Sequence, residues 1–338
     1  NLLQSGSHLE MLMAGRTTLL LFAALGLGCA DKSHDYGSDD DDDDDDIGIN
    51  DVNDTNDTDD TDTDDTDDTD SSDFDQYIFV DQEPSGNFHG FDGYEAEGGW
   101  WTQNVDTSQQ DEVPLTAEVV DFQYDDPVAE ASVDLWFSDV AEGASDISMT
   151  AGSDGSVSGM AHTCTPTTYL TATDPDLDET KDTYQSHNIW EAGDSIDEEF
   201  NSVSIATYQL IPALLGVSPD SEMGIVTGWA YDLDGQAVEG VQVLVRNTAG
   251  DIPDSVIVRY FYDDFPSQNQ EWTSADGLWV AINVPVGEST VEMYGYDGAG
   301  GYLLLGATEV IVHADSINIS NVYGGYGDGI RYPGSCLE

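Results

Sequence analysis

The chain has 338 residues, with six lysines and arginines against 70 aspartates and glutamates, giving a formal net charge of −64. Such a surface repels phosphate groups, so we expect no nucleic-acid partner, and cations are the natural counter-partners. Apolar residues still make up 39% of the chain. That is enough to form cores if the acidic residues are concentrated elsewhere.

The N-terminal region has the pattern of an export signal. Residues 1–10 precede the first methionine, Met11, and we interpret them as an upstream artefact of the translated frame. Residues 11–29 hold one arginine, then an apolar run from Thr17 to Leu27, and end at Cys29. A run of this length is too short to span a bilayer comfortably and has the flanks of a signal peptide.

The residues before Cys29, LGLGC from Leu25, resemble the lipobox of bacterial lipoproteins, in which a small residue precedes a lipidated cysteine. Gly26 departs from the pattern, because leucine is usual there. The resemblance implies a lipid on Cys29 that anchors the chain to a membrane of the cell envelope. Ala30 follows the cysteine where an aspartate would resemble an inner-membrane retention signal, which favours the outer membrane. The alternative is an ordinary signal peptide cut nearby, with Cys29 discarded or left free.

Residues 30–76 form an aspartate-rich segment that we predict to be a disordered linker. It contains an unbroken aspartate run from Asp39 to Asp46 and a second acidic, threonine-rich run from Asp54 to Asp70. This composition cannot bury enough apolar area to offset chain entropy, and like charges in series extend the chain. A solvated spacer is the main interpretation, and a loose calcium sponge is the alternative, since the spacing of a high-affinity calcium loop is missing.

From about Tyr77 onward, short β-type runs alternate with glycine, aspartate, asparagine and proline turns, which predicts an all-β fold. Over residues 77–112 we predict lead-in strands, either an extra strand pair or an ordered lead-in. The clearest strand is Gly224–Tyr231, and after a turn we predict its return strand over Val238–Val245. Further strands are predicted at Leu278–Val284, Thr290–Tyr296, Thr308–His313 and Ser316–Val322.

The run GIVTGWAYDLDGQAVEGVQVLV from Gly224, followed by TSADGLWVAINVPVG and STVEMYGYD, resembles the carboxypeptidase regulatory-like domain. Ala237 stands where that family usually has proline, and Trp279 where it has an aromatic residue. The resemblance implies a transthyretin-like (prealbumin-like) β-sandwich without catalytic residues over residues 223–338.

The same scheme recurs earlier in weaker form, so we predict a divergent transthyretin-like sandwich over residues 113–203. Ala131–Trp136 is one of its strands, and Thr150–Gly155 matches the later turn Thr273–Gly277. The fold class is therefore all-β, with two tandem sandwiches after the linker. Residues 204–222 are predicted as a helical connector, in which Pro212 limits a short helix that Gly216 closes.

Three cysteines remain to be assigned. If Cys29 carries a lipid, Cys164 and Cys336 form an even pair in an oxidising compartment, and we predict a disulfide between them. It would return the end of the chain to the first sandwich and contribute about 3–5 kcal/mol. Two free thiols are the alternative.

One enzyme hypothesis concerns the intradiol ring-cleaving dioxygenases, which have a related sandwich and bind iron through two tyrosines and two histidines. Val133–Trp136 (VDLW) resembles their V-x-x-W strand. The corresponding ligands would be Tyr169, Tyr184, His162 and His187. The closely spaced histidine pair of that family is missing, so we expect no enzyme and no cofactor.

Calcium is the better metal hypothesis. Asp174, Asp176 and Asp178 place oxygen ligands at alternate positions of a predicted loop, although Glu179 stands where an EF-hand needs glycine. A solvated acidic loop is the alternative.

Binding of glycans or envelope proteins is the remaining class of function, because related sandwiches bind sugars through exposed aromatic residues. The candidates are Trp100, Trp101, Trp190, Trp272, Trp279, Tyr323, Tyr326 and Tyr332. The sequence favours a non-catalytic, lipid-anchored envelope protein, with a carbohydrate-binding surface module as the alternative.

Overall fold

Two β-sandwiches follow one another along the chain, with one helix between them. The computed structural model describes residues 77–86, 88, 105–174, 179–263, 265–325 and 331–337. All of them belong to the same compact unit, Asp65–Glu338. The first sandwich contains β1 (Glu112–Asp121), β2 (Ser132–Trp136), β3 (Ile147–Thr150), β4 (Ser156–His162), β5 (Thr167–Ala172), β6 (Thr180–Lys181), β7 (Thr183–Asn188) and β8 (Ile196–Ser204).

The second sandwich follows helix α1 (Ile205–Leu214). It contains β9 (Gly224–Tyr231), β10 (Val241–Asn247), β11 (Ile257–Tyr262), β12 (Phe265–Ser267), β13 (Leu278–Val284), β14 (Gly287–Tyr296), β15 (Tyr302–Val312), β16 (Ile317–Ile319) and β17 (Val322–Tyr323). The all-β fold class is confirmed, and the predicted strands at Gly224–Tyr231 and Leu278–Val284 have these same bounds in the structure.

The core of the first sandwich lies between the sheet β4-β1-β8-β6 and the sheet segment β3-β2-β5-β7. Strand β1 alternates exposed and buried residues along most of its length, as a strand with one face on a core must. Phe200 from β8 meets the ring of Tyr169 from β5 edge-on, with 4.7 Å between the ring centroids. Both side chains are buried, and they occupy the centre of this core.

The core of the second sandwich lies between the sheet β10-β14-β15 and the segment β12-β11-β13-β9-β16. Val241, Val243 and Val245 point into it from β10, and Trp279 fills its middle without any solvent exposure. A third apolar cluster lies around Ile282 and Ile319, and Leu215, directly after α1, belongs to it.

The two sandwiches share one topology. In the first, β1 pairs antiparallel with β4 and parallel with β8, and in the second, β9 pairs antiparallel with β13 and parallel with β16. The opposite sheets correspond as well, since β2-β5-β7 and β10-β14-β15 are both antiparallel ladders. The two sandwiches are therefore structural repeats.

Strand β16 also joins the sandwiches to each other. It pairs in parallel with β9 on one side and with β7 of the first sandwich on the other. A single sheet therefore runs through both halves, in the order β12-β11-β13-β9-β16-β7-β5-β2-β3. No pattern in the sequence predicted this shared sheet.

Helix α1 forms where the sequence placed it. Ser204 caps its N-terminus by accepting a hydrogen bond from the Thr207 backbone N–H at 3.3 Å. Gly216 follows the helix with a φ of +71°, the left-handed conformation that ends many helices. Pro212 lies inside the last turns and is buried.

The structure also bears on two predictions about the chain path. The described residues of 77–111 contain no strand and form an ordered lead-in, one of the two alternatives predicted, while residues 87 and 89–104 lie outside the described residues. The predicted return strand begins at Val241, not Val238, and pairs with β14 in the opposite sheet. The turn after β9 closes a single isolated bridge, between Tyr231 and Ala237, and no hairpin ladder. The reason is that the chain then crosses to the opposite sheet, where β10 lies.

Candidate functional site

The end of the chain is fixed to the first sandwich. A disulfide joins Cys164 to Cys336, with 5.3 Å between the Cα atoms and both side chains buried. The Asp106 backbone N–H donates to the Cys336 carbonyl at 2.9 Å, and Val105 forms a bridge with Leu337. The chain therefore enters the first sandwich beside the place where its C-terminal end is held.

The junction between the sandwiches carries an ion pair. Lys181 Nζ from β6 lies 2.8 Å from Asp315 Oδ2, in the turn before β16. The Tyr208 hydroxyl of α1 donates to Asp315 Oδ1 at 3.3 Å, and Lys181 Nζ lies 4.8 Å from the centre of the Tyr208 ring. Burial first, and then the Asp315 charge, raise the pKa of Tyr208 to about 12, so its hydroxyl stays a donor at neutral pH.

A ring pair crosses the same junction. Tyr184 of β7 stacks on His313, which follows β15, with 3.8 Å between centroids and an interplanar angle of 12°. Burial lowers the pKa of His313, while the Asp182 carboxylate opposes that shift. Burial also raises the pKa of Asp182, whose carbonyl accepts from the Ile317 backbone N–H at 2.9 Å. Side chains from α1, from β6 and β7 and from the turn before β16 therefore meet between the two cores. We call this polar region, formed by Lys181, Asp182, Tyr184, Tyr208, His313 and Asp315, the seam.

A shallow cleft of about 400 Å³ opens beside this seam. Its wall combines one face of α1 with the segment that leads to β9, and Asp315 lies at one side. The lining residues include Tyr208, Gln209, Ala213, Val217 and Pro219. The cleft is mostly apolar and holds no cluster of reactive groups.

The predicted calcium loop is described in part. Asp174 lines a second cleft of about 490 Å³ together with Glu130 and Thr150, whereas Asp176 and Asp178 lie outside the described residues. Within the described part of the chain, no three histidines, cysteines or acidic residues are grouped so that they could hold a metal. The calcium hypothesis therefore stays a prediction.

The four residues of the dioxygenase hypothesis have separate surroundings. The Tyr169 hydroxyl is buried, donates to Gln185 Oε1 at 2.7 Å and accepts from the Asn201 backbone N–H at 3.0 Å. Tyr184 stacks on His313, and His162 packs edge-on against Phe137. His187 Nε2 contacts the Glu309 carbonyl. Each side chain is engaged with a protein partner of its own.

The predicted glycan-binding aromatic residues are mainly packing residues. Trp190 and Trp279 are buried, whereas Trp272, Tyr323 and Tyr332 are half-buried. Trp100, Trp101 and Tyr326 lie outside the described residues. Among the described residues, the large exposed aromatic side chains are others, namely Tyr77, Phe79, Tyr124, Tyr262 and Phe265.

Sequence reasoning missed a contact made by the lead-in. Residues 77–86, here named the strap, lie on the outer face of β10-β14-β15. Ile78 and Val80 are buried there against Leu244 and Tyr294. The backbone N–H groups of residues 79 and 80 both donate to Gln242 Oε1, at 2.7 and 2.6 Å. The signal in the sequence was Gln242 itself, a polar residue within the valine-rich strand β10.

Further contacts hold the second half of the strap. The Ser85 backbone N–H donates to the Glu239 carbonyl, and the Glu239 backbone N–H donates to Ser85 Oγ, each at 2.9 Å. Two glycines let the strap approach closely: a Cβ on Gly295 would lie 2.9 Å from Pro84 Cγ, and one on Gly240 would lie 3.2 Å from the Glu83 carbonyl. We call the surface formed by Glu239, Gly240, Gln242, Leu244, Tyr294 and Gly295 the seat.

Cys29, the export signal and the aspartate-rich linker lie outside the described residues, so lipidation and localisation stay predictions. Among the described residues, no helix has the length and apolarity needed to cross a membrane.

No protein-family model matches the chain, and no curated protein is similar to it. Among solved structures, the Bacillus anthracis TIE protein is similar with a TM-score of 0.22 and 11% identity over 63% of this chain, which spans just 33% of that protein. The shaft pilin SpaA of Lactobacillus rhamnosus GG is similar with a TM-score of 0.21 and 7% sequence identity. The match covers 63% of this chain and 98% of the pilin. The minor pilin GBS52 of Streptococcus agalactiae is similar with a TM-score of 0.18 and 10% sequence identity. The match covers 65% of this chain and 98% of that pilin. At this level the similarities assign no function to the chain.

Proposed function

We propose that this chain is a non-catalytic, lipid-anchored protein of the cell envelope that presents two transthyretin-like sandwiches as one rigid body, for binding or for a structural role. The observation that carries the proposal is the pairing of β16 with both β7 and β9. A hinge motion between the sandwiches would have to break this ladder, because the two sandwiches are joined by backbone hydrogen bonds of β16 as well as by the chain between them.

The junction contacts favour the same conclusion. The Lys181–Asp315 pair is partly exposed and contributes little by itself. The Tyr184–His313 stack and the backbone ladder add contacts of different kinds at the same seam. Relative motion would have to break them together, so we expect the two sandwiches to move as a unit.

The anchor is proposed from the sequence around Cys29 and from the linker that follows. Residues 30–76 could span up to about 160 Å if fully extended. Mutual repulsion of the aspartates favours extension, so the linker would hold the sandwiches away from the membrane surface. The outer membrane is the proposed location.

The absence of catalysis is proposed from the resemblance to the regulatory-like domain and from the surroundings of the tyrosines and histidines. Tyr169, the most buried of them, already uses its hydroxyl to donate to Gln185 and to accept from the Asn201 backbone. Binding of iron by that oxygen would require both hydrogen bonds to break inside a closed core.

Two measurements test the proposal. In cells fed labelled palmitate, the full chain should incorporate label and fractionate with the outer membrane, whereas Cys29→Ser should do neither and Cys336→Ser should still be labelled. Rigidity is tested with spin labels on Ser153→Cys and Ala249→Cys, two exposed positions in different sandwiches. A narrow distance distribution is expected, and a broad one would refute the rigid body while leaving the anchor untouched.

A further inference from the structure

The seat of the second sandwich has a counterpart in the first. Equivalent backbone hydrogen bonds align the two sandwiches on either side of this position, namely those from Val128 to Val119 and from Val238 to Ala230, and those from Ala151 to Ala131 and from Thr273 to Val241. Ala129 therefore corresponds to Glu239. In the same way Glu130 corresponds to Gly240, and both have a left-handed φ, of +58° and +86°.

In the second sandwich this position binds a peptide segment, which is the strap. The Glu239 backbone uses both its N–H and its carbonyl to bond Ser85, each at 2.9 Å. The side chain of Glu83, two residues earlier in the strap, lies against Gly298 in the turn between β14 and β15. The position therefore holds a segment by backbone groups, whichever side chain residue 239 carries.

In the first sandwich the same position faces the second cleft. Ala129 is exposed, and no described residue bonds its backbone N–H or carbonyl. The cleft, of about 490 Å³, extends from Ala129 and Glu130 to Asp174. The register of β5 on β2, compared with that of β14 on β10, makes Asp174 the counterpart of Tyr296. Asp174 thus lies beside the place where a segment bound like the strap would put its equivalent of Glu83.

The side chains indicate that a segment bound here differs in chemistry from the strap. Two carboxylates, of Glu130 and Asp174, line the cleft where the second sandwich has neutral residues. Leu244, which packs against apolar side chains of the strap, has an acidic counterpart in Asp134. The strap is apolar at Ile78 and Val80 and acidic further on, so it does not match this surface. A segment with a lysine or arginine supplies the opposite charge.

We propose that the second cleft binds a short peptide segment of a partner protein that carries a lysine or an arginine. The backbone of the segment bonds Ala129 as Ser85 bonds Glu239, and its basic side chain lies between Glu130 and Asp174. Backbone bonds tolerate many sequences, whereas the two carboxylates select the charge. The net charge of the chain adds attraction at long range, which salt weakens. The inference rests on the binding role within the proposed function, and on neither the lipid anchor nor the rigid body.

A peptide derived from the strap tests the proposal on the full chain carrying Cys29→Ser. The probe has the sequence of residues 81–86 with Asp81→Asn and Glu83→Lys, and it carries a spin label at its C-terminal end. It should broaden the amide NMR signals of Ala129 and of its neighbours in the cleft. Binding should weaken when the salt concentration is raised from about 0.05 M to about 0.5 M.

Two variants of the cleft test the role of its charge. Glu130→Gln and Glu130→Gly should each weaken binding of the probe about fivefold, and the second introduces the residue that the second sandwich has at this φ. Glu288→Gln is the matched control, because it removes the same charge from an exposed position of the second sandwich and should leave binding unchanged. The unaltered sequence of residues 81–86 is the control peptide and should bind more weakly than the probe.

Two outcomes would overturn the proposal. Broadening confined to the aspartate-rich linker would show that the probe is attracted by the charge of the chain alone. Equal affinity of the Glu130→Gln and Glu288→Gln chains would show that the cleft does not take the basic side chain. Neither outcome affects the labelling of Cys29 or the distances between the two sandwiches, so the proposed function is tested separately.

Discussion

Gly155 in the first sandwich and Gly277 in the second occupy equivalent places: their carbonyls accept from the backbone N–H groups of Val119 and Ala230, each at 2.9 Å. Both glycines have a positive φ, +76° and +69°. Each also lies against the backbone of the first strand of its own sandwich. The weak sequence match between Thr150–Gly155 and Thr273–Gly277 therefore reflects one turn used twice.

Replacing Gly277 by alanine should strongly destabilise the chain. The new Cβ would lie 2.8 Å from the Ala230 carbonyl oxygen, in addition to the cost of a positive φ. We expect a loss of about 2–4 kcal/mol in the free energy of unfolding, measured by urea denaturation. Gly250→Ala is the matched control, because Gly250 has a φ of +85° but open space around it, and should lose about 1 kcal/mol. Equal losses would show that the close approach has no effect.

Replacing Ala237 by proline should stabilise the second sandwich. Pro127 forms the equivalent bridge, to Val120, in the first sandwich. The bridge at Ala237 is closed by bonds that Asp232 and Val238 donate, so a proline there loses no donor of the bridge. We expect a gain of about 0.4–1 kcal/mol from the stiffer unfolded chain, seen as a higher melting temperature. A lower melting temperature would mean that the backbone at residue 237 does not accept proline.

The sequence predicted those strands whose own residues carry a recognisable pattern. Strand β9 alternates from Val226 onward with the period of a sheet, β13 is a short apolar run between turn residues, and α1 has a capping serine and a closing glycine. The partner of β16 could not be predicted, because Ile317–Ile319 is three residues long and carries no information about a strand more than a hundred residues earlier. The turn after β9 indicated a hairpin, but burial of β10 against the opposite sheet determines its real partner, β14.

The site was less predictable than the fold. Cysteine parity indicated the pair Cys164 and Cys336, which the structure joins. The seam at Tyr184 and His313 could not be found from spacing, because the two rings meet through tertiary pairing across 129 positions of the chain. For the strap the sequence left a strand pair and an ordered lead-in open, because the alternation of Ile78 and Val80 fits a strand as well as packing on the face of another sheet.

Removing the disulfide should weaken the whole folded part. Its two cysteines are 172 positions apart, so the bond restricts a long loop of the unfolded chain. Cys164→Ala combined with Cys336→Ala should lower the free energy of unfolding by about 3–5 kcal/mol in urea denaturation without reductant. Cys29→Ala is the control and should leave it unchanged. A loss below about 1 kcal/mol would show that the tail is held mainly by its other contacts, such as the Val105–Leu337 bridge.

Acidification through the range of histidine should weaken the seam through His313. Its pKa is lowered in the folded state, first by burial, although the Asp182 carboxylate opposes the shift. Between the folded and unfolded pKa values the unfolded chain binds more protons, so this contribution is present above the unfolded pKa and is lost as the pH falls. Asp182 acts in the opposite sense, because burial raises its pKa and the folded chain then holds its proton more tightly than the unfolded chain does.

The groups that face His313 are the Tyr184 ring and the Asp182 carboxylate, so His313→Gln keeps a polar side chain while removing the titration. Melting temperatures of both proteins, measured between about pH 8 and pH 5.5, should diverge, with the natural chain losing more stability on acidification. Parallel curves would place the pH dependence elsewhere. Tyr184→Phe separates stacking from titration, since it keeps the ring and should retain the pH dependence of the natural chain.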